Sequence, residues 1–557
     1  MNKIKLKICL SIICIFLLQY PVQSGIRILF NGNIFTGVKR NFVEAIVFRH
    51  GKIIYAGTNR GTKWFRSRKG AVVYDLKGKT AIPGFHDGDV NFPLGAKLLN
   101  SGMNFQGKSM GAILHRLRIQ NKENKNRKDV FGYNFEHLFY RNKKLPNKYD
   151  LDNISTDSHI VIYSSDGNTA WVNSKVLRTC NIGKDTRSIQ GGKIFRFADN
   201  SPTGIICGNA LKLLKGFDFN ESFSGDLNEN DIIDAVKYAN NYGITSFTTH
   251  GNLEFLKILK KLESENKLNV RFNIILPSKN IGSYLINKTV FKRLTPFVKL
   301  ISVSKNIDGN LYILGSALFS KYKNRNYYGF IRSENNDIED LVQLYKKNNI
   351  IGDFYAEGDR AVNFLLNAID FSLRKSSIRG LRYRLSNFSF IVNEDIDRLK
   401  KLSVIPVIRP NSFIKKSIFI EKYVGGRKAT NAIKIGTLLN RGLSVAFGSG
   451  WPGESLNPFI GIAFSVFRKI SEEYGGWFVE EKIGITEAVR AYTYGSSYAV
   501  SDENRTGTIE KGKYADIVIL SGNIFSKKAD WSFISSEVKV LETIVNGKTV
   551  FKREKIN

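Results

Sequence analysis

Apolar runs typical of buried strands alternate with amphipathic segments through the middle of the chain, roughly residues 83 to 500. Strand-like runs occupy His159–Ser164, 244–248, 350–355, Val404–Ile408 and 443–447. Helical spacing of apolar residues recurs in 170–177, 231–242, 338–347 and 433–441. Repeated strand–helix units over about 400 residues predict an α/β fold, most simply a (β/α)8 barrel of the TIM type with insertions. An open doubly wound sheet is the competing architecture.

Both ends of the chain have a different texture, in which short β-branched runs are separated by turn residues such as Asn31-Gly32. This pattern is typical of hairpins. Because the two ends flank one long middle, we predict a small composite β-sandwich domain formed by N- and C-terminal segments. It would consist of residues 25–82 and 505–557, with the barrel over 83–504.

The first 24 residues have the pattern of an export signal. Lysines at positions 3, 5 and 7 form a positive head, an apolar run covers 8–18, and small residues precede Gly25. A membrane anchor is the alternative, but a bilayer span needs ~20 apolar residues and this run is shorter. We expect residues 1–24 to be a signal peptide that is removed and the protein to be secreted, without a membrane-spanning segment.

Removal of the leader leaves two cysteines, Cys180 and Cys207. In an oxidising compartment they are candidates for a disulfide that would stabilise the fold by about 3 kcal/mol. Two free thiols are the alternative, and spacing along the chain does not decide between them. Export also makes the Asn-x-Ser/Thr sequons candidates for N-glycosylation. These sequons lie at Asn153, Asn220, Asn287, Asn387 and Asn504.

The chain is strongly basic, with 84 Lys and Arg residues against 49 Asp and Glu, a formal net charge of +35. Such a charge favours acidic partners, for example a sulfated glycan. The alternative is a solvated surface in a chain generally rich in Lys, Asn and Ile. No nucleic-acid motif accompanies the charge, so it indicates a class of partner at most.

Short motifs follow one another in a fixed order from about residue 28 to residue 550. They include Gly358-Asp359-Arg360-Ala361-Val362, Trp451-Pro452-Gly453-Glu454-Ser455 and Gly512-Lys513-Tyr514-Ala515-Asp516, with others at 29–32, 75–79, 168–174, 202–204 and 447–449. Together they resemble the motifs of the amidohydrolase 3 group of the amidohydrolase superfamily. That resemblance implies a metal-bearing (β/α)8 barrel, a small β domain built from both chain ends, and hydrolysis of non-peptide carbon–nitrogen bonds.

The resemblance also implies a mechanism, in which histidines and an aspartate hold one or two divalent ions that lower the pKa of a bound water. Zinc needs imidazole, thiolate or carboxylate donors. The positions that correspond to the histidine ligands and the aspartate base hold Asp89, Asn91, Tyr355, Asn387 and Gly450. We therefore expect the hydrolytic centre to be lost and no cofactor to be bound, although the family uses zinc or another divalent metal.

A metal site rebuilt from other residues is the alternative. His86 and Asp89 are close in sequence, and imidazole and carboxylate both bind zinc. Such a site needs several converging ligands, which are scarce here because no histidine follows His250. Structural roles are therefore favoured for these residues.

A ligand pocket could survive the loss of the metal, since such pockets are mostly apolar with a few polar anchors. The residues that we assign to this pocket, besides the former ligand and base positions, are Asn168, Trp171, His86, Asp308 and Trp451. For the two tryptophans, packing inside the barrel is an equal alternative.

The sequence thus predicts a secreted amidohydrolase-3-like protein that has lost hydrolytic activity and acts by binding a small molecule or an acidic polymer. The competing hypothesis is an active hydrolase of non-peptide amides with a relocated or metal-free site. The identity of the ligand and the oligomeric state do not follow from the sequence.

Overall fold

The structure of the chain is a computed structural model. It describes residues 25–101, 103–105, 109–123, 129–135, 146–164, 167, 169–187, 189, 192–217, 227–282, 284–285, 297–374, 381–469 and 475–554. Within these residues every helix is too short or too polar to cross a lipid bilayer.

The centre of the molecule is a sheet of eight parallel strands that closes almost completely into a barrel. In spatial order the strands are β8 (Phe85–Val90), β15 (Ile244–His250), β16 (Arg271–Pro277), β17 (Val298–Asn306), β18 (Ile351–Tyr355), β19 (Tyr383–Ser386), β20 (Val404–Ile408) and β21 (Ala446–Phe447). The segment after β21 approaches the first strand, where the Gly450 amide donates to the Asp89 carbonyl at 2.9 Å. The predicted (β/α)8 barrel is therefore confirmed, and the open doubly wound sheet is not formed.

Helices surround the barrel and bury their apolar faces against it. Those associated with the barrel strands are Phe92–Ser101, Glu229–Asn240, Leu253–Ser264, Asn335–Asn348, Asp359–Arg374, Asn393–Lys401, Pro410–Tyr423, Ile435–Asn440, Pro458–Phe467, Ile485–Arg490 and Ser496–Ala499. Several begin at an asparagine whose side chain accepts from a backbone amide of the first turn, as Asn228 and Asn252 do. The asparagine-rich composition thus supplies helix caps.

Two further sheets come from the chain ends. A four-stranded sheet contains β1 (Arg27–Phe30), β4 (Ala45–Arg49), β5 (Lys52–Gly57) and β6 (Val72–Asp75). A six-stranded sheet combines β2 (Asn33–Phe35), β3 (Phe42–Val43) and β7 (Thr80–Pro83) with β22 (Ile517–Leu520), β23 (Val540–Val545) and β24 (Lys548–Lys552). Apolar side chains of both sheets form one core, which includes Leu29, Ile46 and Ile517. The two chain ends therefore build a composite sandwich.

A buried ion pair joins the barrel to this sandwich. Arg271, at the start of β16, donates from Nε and Nη2 to the two carboxylate oxygens of Asp516 at 2.8 and 3.0 Å. Asp516 immediately precedes β22, and both side chains are almost completely buried. The geometry is bidentate, which is the strongest arrangement of this pair.

A fourth sheet is formed by the segment of the chain that connects the first barrel strand to the second. Its strands are β9 (Met103–Asn104), β10 (Asp129–Phe135), β11 (His159–Ser164), β12 (Thr169–Val172), β13 (Gly192–Arg196) and β14 (Pro202–Gly208), with helices Met110–Glu123, Lys148–Asp152 and Ser174–Thr179. The predicted helix over 170–177 is therefore wrong in its first half. Residues 170–172 belong to β12, which lies between β11 and β14 in this sheet, so sheet pairing determined their conformation.

Candidate functional site

A cavity of about 620 Å³ opens at the carboxyl ends of the barrel strands. In barrels of this type that end carries the functional site. Every barrel strand, or the loop that follows it, contributes to its wall. We call it the barrel-mouth cavity, and its lining includes Asn91, His250, Lys279, Lys305, Asn306, Tyr355, Asn387, Arg409, Lys416, Gly450 and Trp451.

A hydrogen-bonded ion pair lies at the base of this cavity. Asp89, near the end of β8, accepts from Arg409 Nε on one carboxylate oxygen and from the Tyr355 hydroxyl on the other, each at 2.7 Å. The Asp89 side chain is almost fully buried, whereas that of Arg409 is 24% exposed. Burial raises the pKa of Asp89, but the charge and hydrogen bond of Arg409 outweigh it and hold that pKa below its usual value. Asp89 is therefore an ionised carboxylate in an ion pair with Arg409.

His250 extends this network. Its Nε2 atom contacts the Tyr355 hydroxyl. That hydroxyl has one proton and donates it to Asp89, so its oxygen accepts from the histidine and the Nε2 atom carries the proton. Burial lowers the pKa of His250, and burial beside the Asp89 charge raises that of Tyr355 well above its ordinary value. At neutral pH both rings are therefore uncharged.

Arg409 is the site residue that sequence reasoning missed. It directly follows the buried strand β20, and a residue at that place in a parallel barrel faces the mouth. This position, directly after a barrel strand, was the feature of the sequence that could have identified Arg409. The tertiary structure shows where the Arg409 side chain lies: a Cβ atom built on Gly450 would be 3.0 Å from Arg409 Cδ. The absence of a side chain at Gly450 thus leaves room for the arginine.

A second buried ion pair supports one side of the cavity. Glu357 accepts from the Leu311 amide at 2.7 Å, from Ser316 Oγ at 2.8 Å and from Ser389 Oγ at 3.0 Å, and it also binds Lys416 Nζ. Its carboxylate is thereby fully used in holding the loop after β17 and the helix after β20. Lys416 reaches the cavity wall from this anchored position.

The residues at the positions that resemble the family's ligand and base sites lie close together. Asn91, Tyr355, Asn387 and Gly450 line the barrel-mouth cavity, and Asp89 lies directly beneath it. Their proximity follows from their places at the ends of four different barrel strands and the loops after them.

Three residues that we assigned to the pocket have structural roles instead. Trp171 is fully buried in the fourth sheet and donates from Nε1 to the Asn147 carbonyl at 2.9 Å. His86 is buried against Thr248, with Nε2 at 2.9 Å from its hydroxyl. Asp308 accepts three backbone amides and holds the loop after β17. The assignments were wrong because these side chains turn into the protein rather than toward the mouth.

The remaining assignments have mixed outcomes. Trp451 both lines the cavity and packs on Phe92, with ring centroids 5.9 Å apart. Asn168 lies outside the described residues. Cys180 and Cys207 are not joined to each other, so the candidate disulfide is not formed.

The sequons also differ in accessibility. Asn153 and Asn504 are exposed. Asn387 faces the barrel-mouth cavity and accepts from Lys416 at 3.3 Å, while Ser389 of its sequon is fully buried, so this site is unsuited to a glycan. The two other sequons, Asn220 and Asn287, lie outside the described residues.

Asp87, on the first barrel strand, is a buried carboxyl whose titration is testable. Its Oδ1 atom accepts from the Ser449 amide at 2.8 Å, but Oδ2 has no hydrogen-bond partner among the described residues. Burial raises the pKa of Asp87 to about 7. The folded state therefore holds this proton more tightly than the unfolded state, so the contribution to stability is present below pH 3.8 and is lost as the pH rises through 7.

Asp87→Asn is expected to remove about 2–4 kcal/mol of pH dependence between pH 4 and pH 8. The variant should match the unmodified protein near pH 4 and exceed its free energy of unfolding near pH 8. Urea unfolding across this pH range measures the difference. Asp397→Asn, at an exposed carboxylate, is the control and should leave the pH profile unchanged. Parallel profiles for the Asp87 variant and the unmodified protein would contradict the buried-acid assignment.

These features were compared with known proteins. The amidohydrolase family model matches residues 72–551, so the chain belongs to the amidohydrolase family. The chain is 24% identical over 545 residues to the protein LONG AFTER FAR-RED 3 of Arabidopsis thaliana, covering 94% of this chain and 91% of that protein. It is 25% identical over 418 residues to the putative amidohydrolase YtcJ of Bacillus subtilis, covering 73% and 76%.

Solved structures agree with the fold. An uncharacterized metal-dependent hydrolase from Pyrococcus furiosus superposes with a TM-score of 0.69 at 22% identity, over 90% of this chain and 100% of that one. An adenosine deaminase from Xanthomonas campestris with bound zinc superposes with a TM-score of 0.52 at 11% identity, over 94% and 93% of the two chains.

The expectation that no cofactor belongs to this protein is therefore wrong. The matched family and the structural neighbours are metal-dependent hydrolases, and one neighbour was solved with zinc. A divalent metal is the cofactor that the family and its structural neighbours imply.

Whether the side chains at the mouth fit such a metal is a separate question, and they do not. Asp89, the carboxylate at the base of the cavity, already binds Arg409 and Tyr355 with its two oxygens, and Glu454 on the cavity wall pairs with Lys415. Asn91 and Asn387 offer carboxamides, which are poor zinc ligands. His86 binds Thr248 rather than sharing a centre with Asp89. Among the described residues, no group of three or more His, Cys, Asp and Glu side chains is arranged to hold a metal.

Proposed function

We propose that this protein binds a small polar organic molecule in the barrel-mouth cavity and does not carry out the metal-assisted hydrolysis of its family. The observation that carries the proposal is the ion pair between Asp89 and Arg409, with a 2.7 Å separation, at a position where the family resemblance implies a metal ligand. A permanently charged guanidinium beside the carboxylate repels a divalent cation and occupies its potential ligand.

The chemistry of the remaining groups supports the same proposal. Hydrolysis in this family requires a metal-activated water and a carboxylate that takes its proton. Gly450 replaces that carboxylate, and Asp89 has a lowered pKa that makes it a weak base. Tyr355 stays protonated at neutral pH because its pKa is raised. The residues at the mouth therefore suit ligand recognition better than proton transfer from water.

The first experiment measures turnover and metal content together. Purified protein is reloaded with zinc, analysed for bound metal and incubated with a panel of N-substituted formamides and N-acyl amines, with an active member of the family as positive control. We expect no product above the uncatalysed background. Turnover that depends on about one zinc ion per chain would overturn the proposal, since functional sites bind metal near stoichiometrically.

The second experiment tests binding at the cavity with a library of small polar compounds, by ligand-detected NMR. Ser278→Trp places a large side chain in the cavity wall, whereas Ser67→Trp makes the same change at an exposed site on the sandwich. Ligands of the cavity should lose their signals with the first variant and keep them with the second. Equal binding by both variants would place the ligand elsewhere and contradict the proposal.

We also propose that the leader directs export and that the mature chain carries N-linked glycans. The exposed positions of Asn153 and Asn504 support this. Expression of the whole chain in a eukaryotic host should yield medium-localised protein that begins at Gly25 by intact mass. Asn153→Gln and Asn504→Gln should each remove one glycan that an N-glycosidase also removes. Retention of the leader inside the cells would contradict the proposal.

A further inference from the structure

Arg409 has donors that the protein does not use. Its Nε atom binds Asp89, whereas Nη1 and Nη2 have no hydrogen-bond partner among the described residues. The side chain is 24% exposed and lines the barrel-mouth cavity. Asp89 and Tyr355 together hold the guanidinium, whose carbon lies 5.8 Å from the Tyr355 ring centroid. The arginine is therefore a positioned cation whose Nη1 and Nη2 atoms are available at the barrel-mouth cavity.

The charges around the cavity have one dominant sign. Four basic side chains, those of Lys279, Lys305, Arg409 and Lys416, line the cavity, and the acidic residue among the described lining residues is Glu454. Glu454 is in turn bound by Lys415 Nζ at 2.9 Å, so its charge is already matched. Low-dielectric walls focus the field of such cations into the cavity.

Some of these cations are balanced by acids behind the wall. Lys416 pairs with buried Glu357, and Lys305 pairs with Asp337 at 3.3 Å. Lys279, in contrast, is exposed and forms no ion pair among the described residues. Arg409 is paired with Asp89 through Nε but keeps Nη1 and Nη2 available, so it and Lys279 are the two cations best placed to receive an incoming anion.

We propose that the ligand of the barrel-mouth cavity is a small organic acid whose carboxylate binds the Nη1 and Nη2 edge of Arg409. A planar guanidinium matches a planar carboxylate with two parallel hydrogen bonds. The carboxamides of Asn91 and Asn306 on the cavity wall supply donors and acceptors for the rest of the molecule. In this site the guanidinium takes the place of the family's metal as the positive centre.

This inference rests on the proposed function but makes a narrower claim. Binding of a neutral molecule would satisfy the proposed function and overturn the inference. Zinc-dependent amide hydrolysis would overturn the proposed function itself. The two failures are therefore distinguishable.

The test uses matched pairs of acids and amides: acetate with acetamide, succinate with succinamide, and benzoate with benzamide. Binding to the whole mature protein is measured by ligand-detected NMR and calorimetry at fixed ionic strength. We expect at least one acid to bind saturably, at least tenfold more tightly than its amide. Equal binding of acid and amide, or no binding by any of the three acids, would overturn the inference.

Substitutions test where the anion binds. Arg409→Lys keeps the positive charge but removes the planar guanidinium, and should weaken the affinity for the acid at least tenfold. Lys279→Met, at an exposed position, should weaken it severalfold without affecting folding. Arg382→Lys is the matched control, because Arg382 pairs with Glu503 outside the cavity. An affinity that Arg409→Lys and Lys279→Met leave unchanged, with both variants folded by circular dichroism, would overturn the inference.

Discussion

Arg409→Met is expected to lower the free energy of unfolding by about 3 kcal/mol at pH 7, because it leaves the buried carboxylate of Asp89 without its cation. The variant should also change the pH dependence. With Arg409 present, the lowered pKa of Asp89 contributes stability above pH 3.8 that is lost on acidification. Without it, burial raises that pKa, so the destabilisation should shrink as the pH falls and Asp89 takes up a proton.

Urea unfolding from pH 4 to pH 8 measures both effects. The double variant Asp89→Asn with Arg409→Met removes the orphaned charge and should recover part of the lost stability at pH 7. Arg409→Lys should cost less than Arg409→Met because a cation remains. A loss below about 1 kcal/mol in the methionine variant, independent of pH, would mean that Arg409 is a surface residue with a weak ion pair.

Arg271→Met is expected to cost about 3–5 kcal/mol, because it breaks the buried bidentate pair that joins the barrel to the composite sandwich. Among the described residues, the side chain of the partner, Asp516, would keep as its donor the Asn546 amide, at 2.7 Å from Oδ1. Since the pair links barrel strand β16 to the sheet that contains both chain ends, its loss should expose the chain ends to protease before global unfolding. Urea unfolding and limited proteolysis measure the two consequences.

The exposed pair of Lys261 and Glu229 provides the control. Lys261→Met should leave the free energy of unfolding nearly unchanged, because exposed ion pairs contribute little. Arg271→Met combined with Asp516→Leu should recover much of the loss, since an apolar pair in a buried site avoids the desolvation of two charges. A cost for Arg271→Met no larger than that for Lys261→Met would contradict the proposed role of the buried pair.

The sequence predicted elements well where local pattern and burial agree. The run Val404–Ile408 is a strand with those bounds, and the segment 231–242 overlaps the helix Glu229–Asn240 closely. The prediction of a helix over 170–177 was wrong for its first residues, which lie between two neighbouring strands of a sheet. Residues that are buried on both sides show no clear difference between strand and helix periodicity. The fourth sheet, which depends on such pairings, was not predicted.

The chain's own residues determined the alternation of strands and helices, the composite origin of the sandwich and the residue types at the positions that resemble the family's ligand sites, because each depends on local pattern or on identity at one position. Only the tertiary structure decided how these residues are paired. Asp89 and Arg409 are 320 residues apart and meet because the barrel brings the ends of β8 and β20 to one mouth. Packing in the barrel turned His86 and Asp308 inward, and packing in the fourth sheet did the same for Trp171, since side-chain direction depends on neighbours that sequence spacing does not specify.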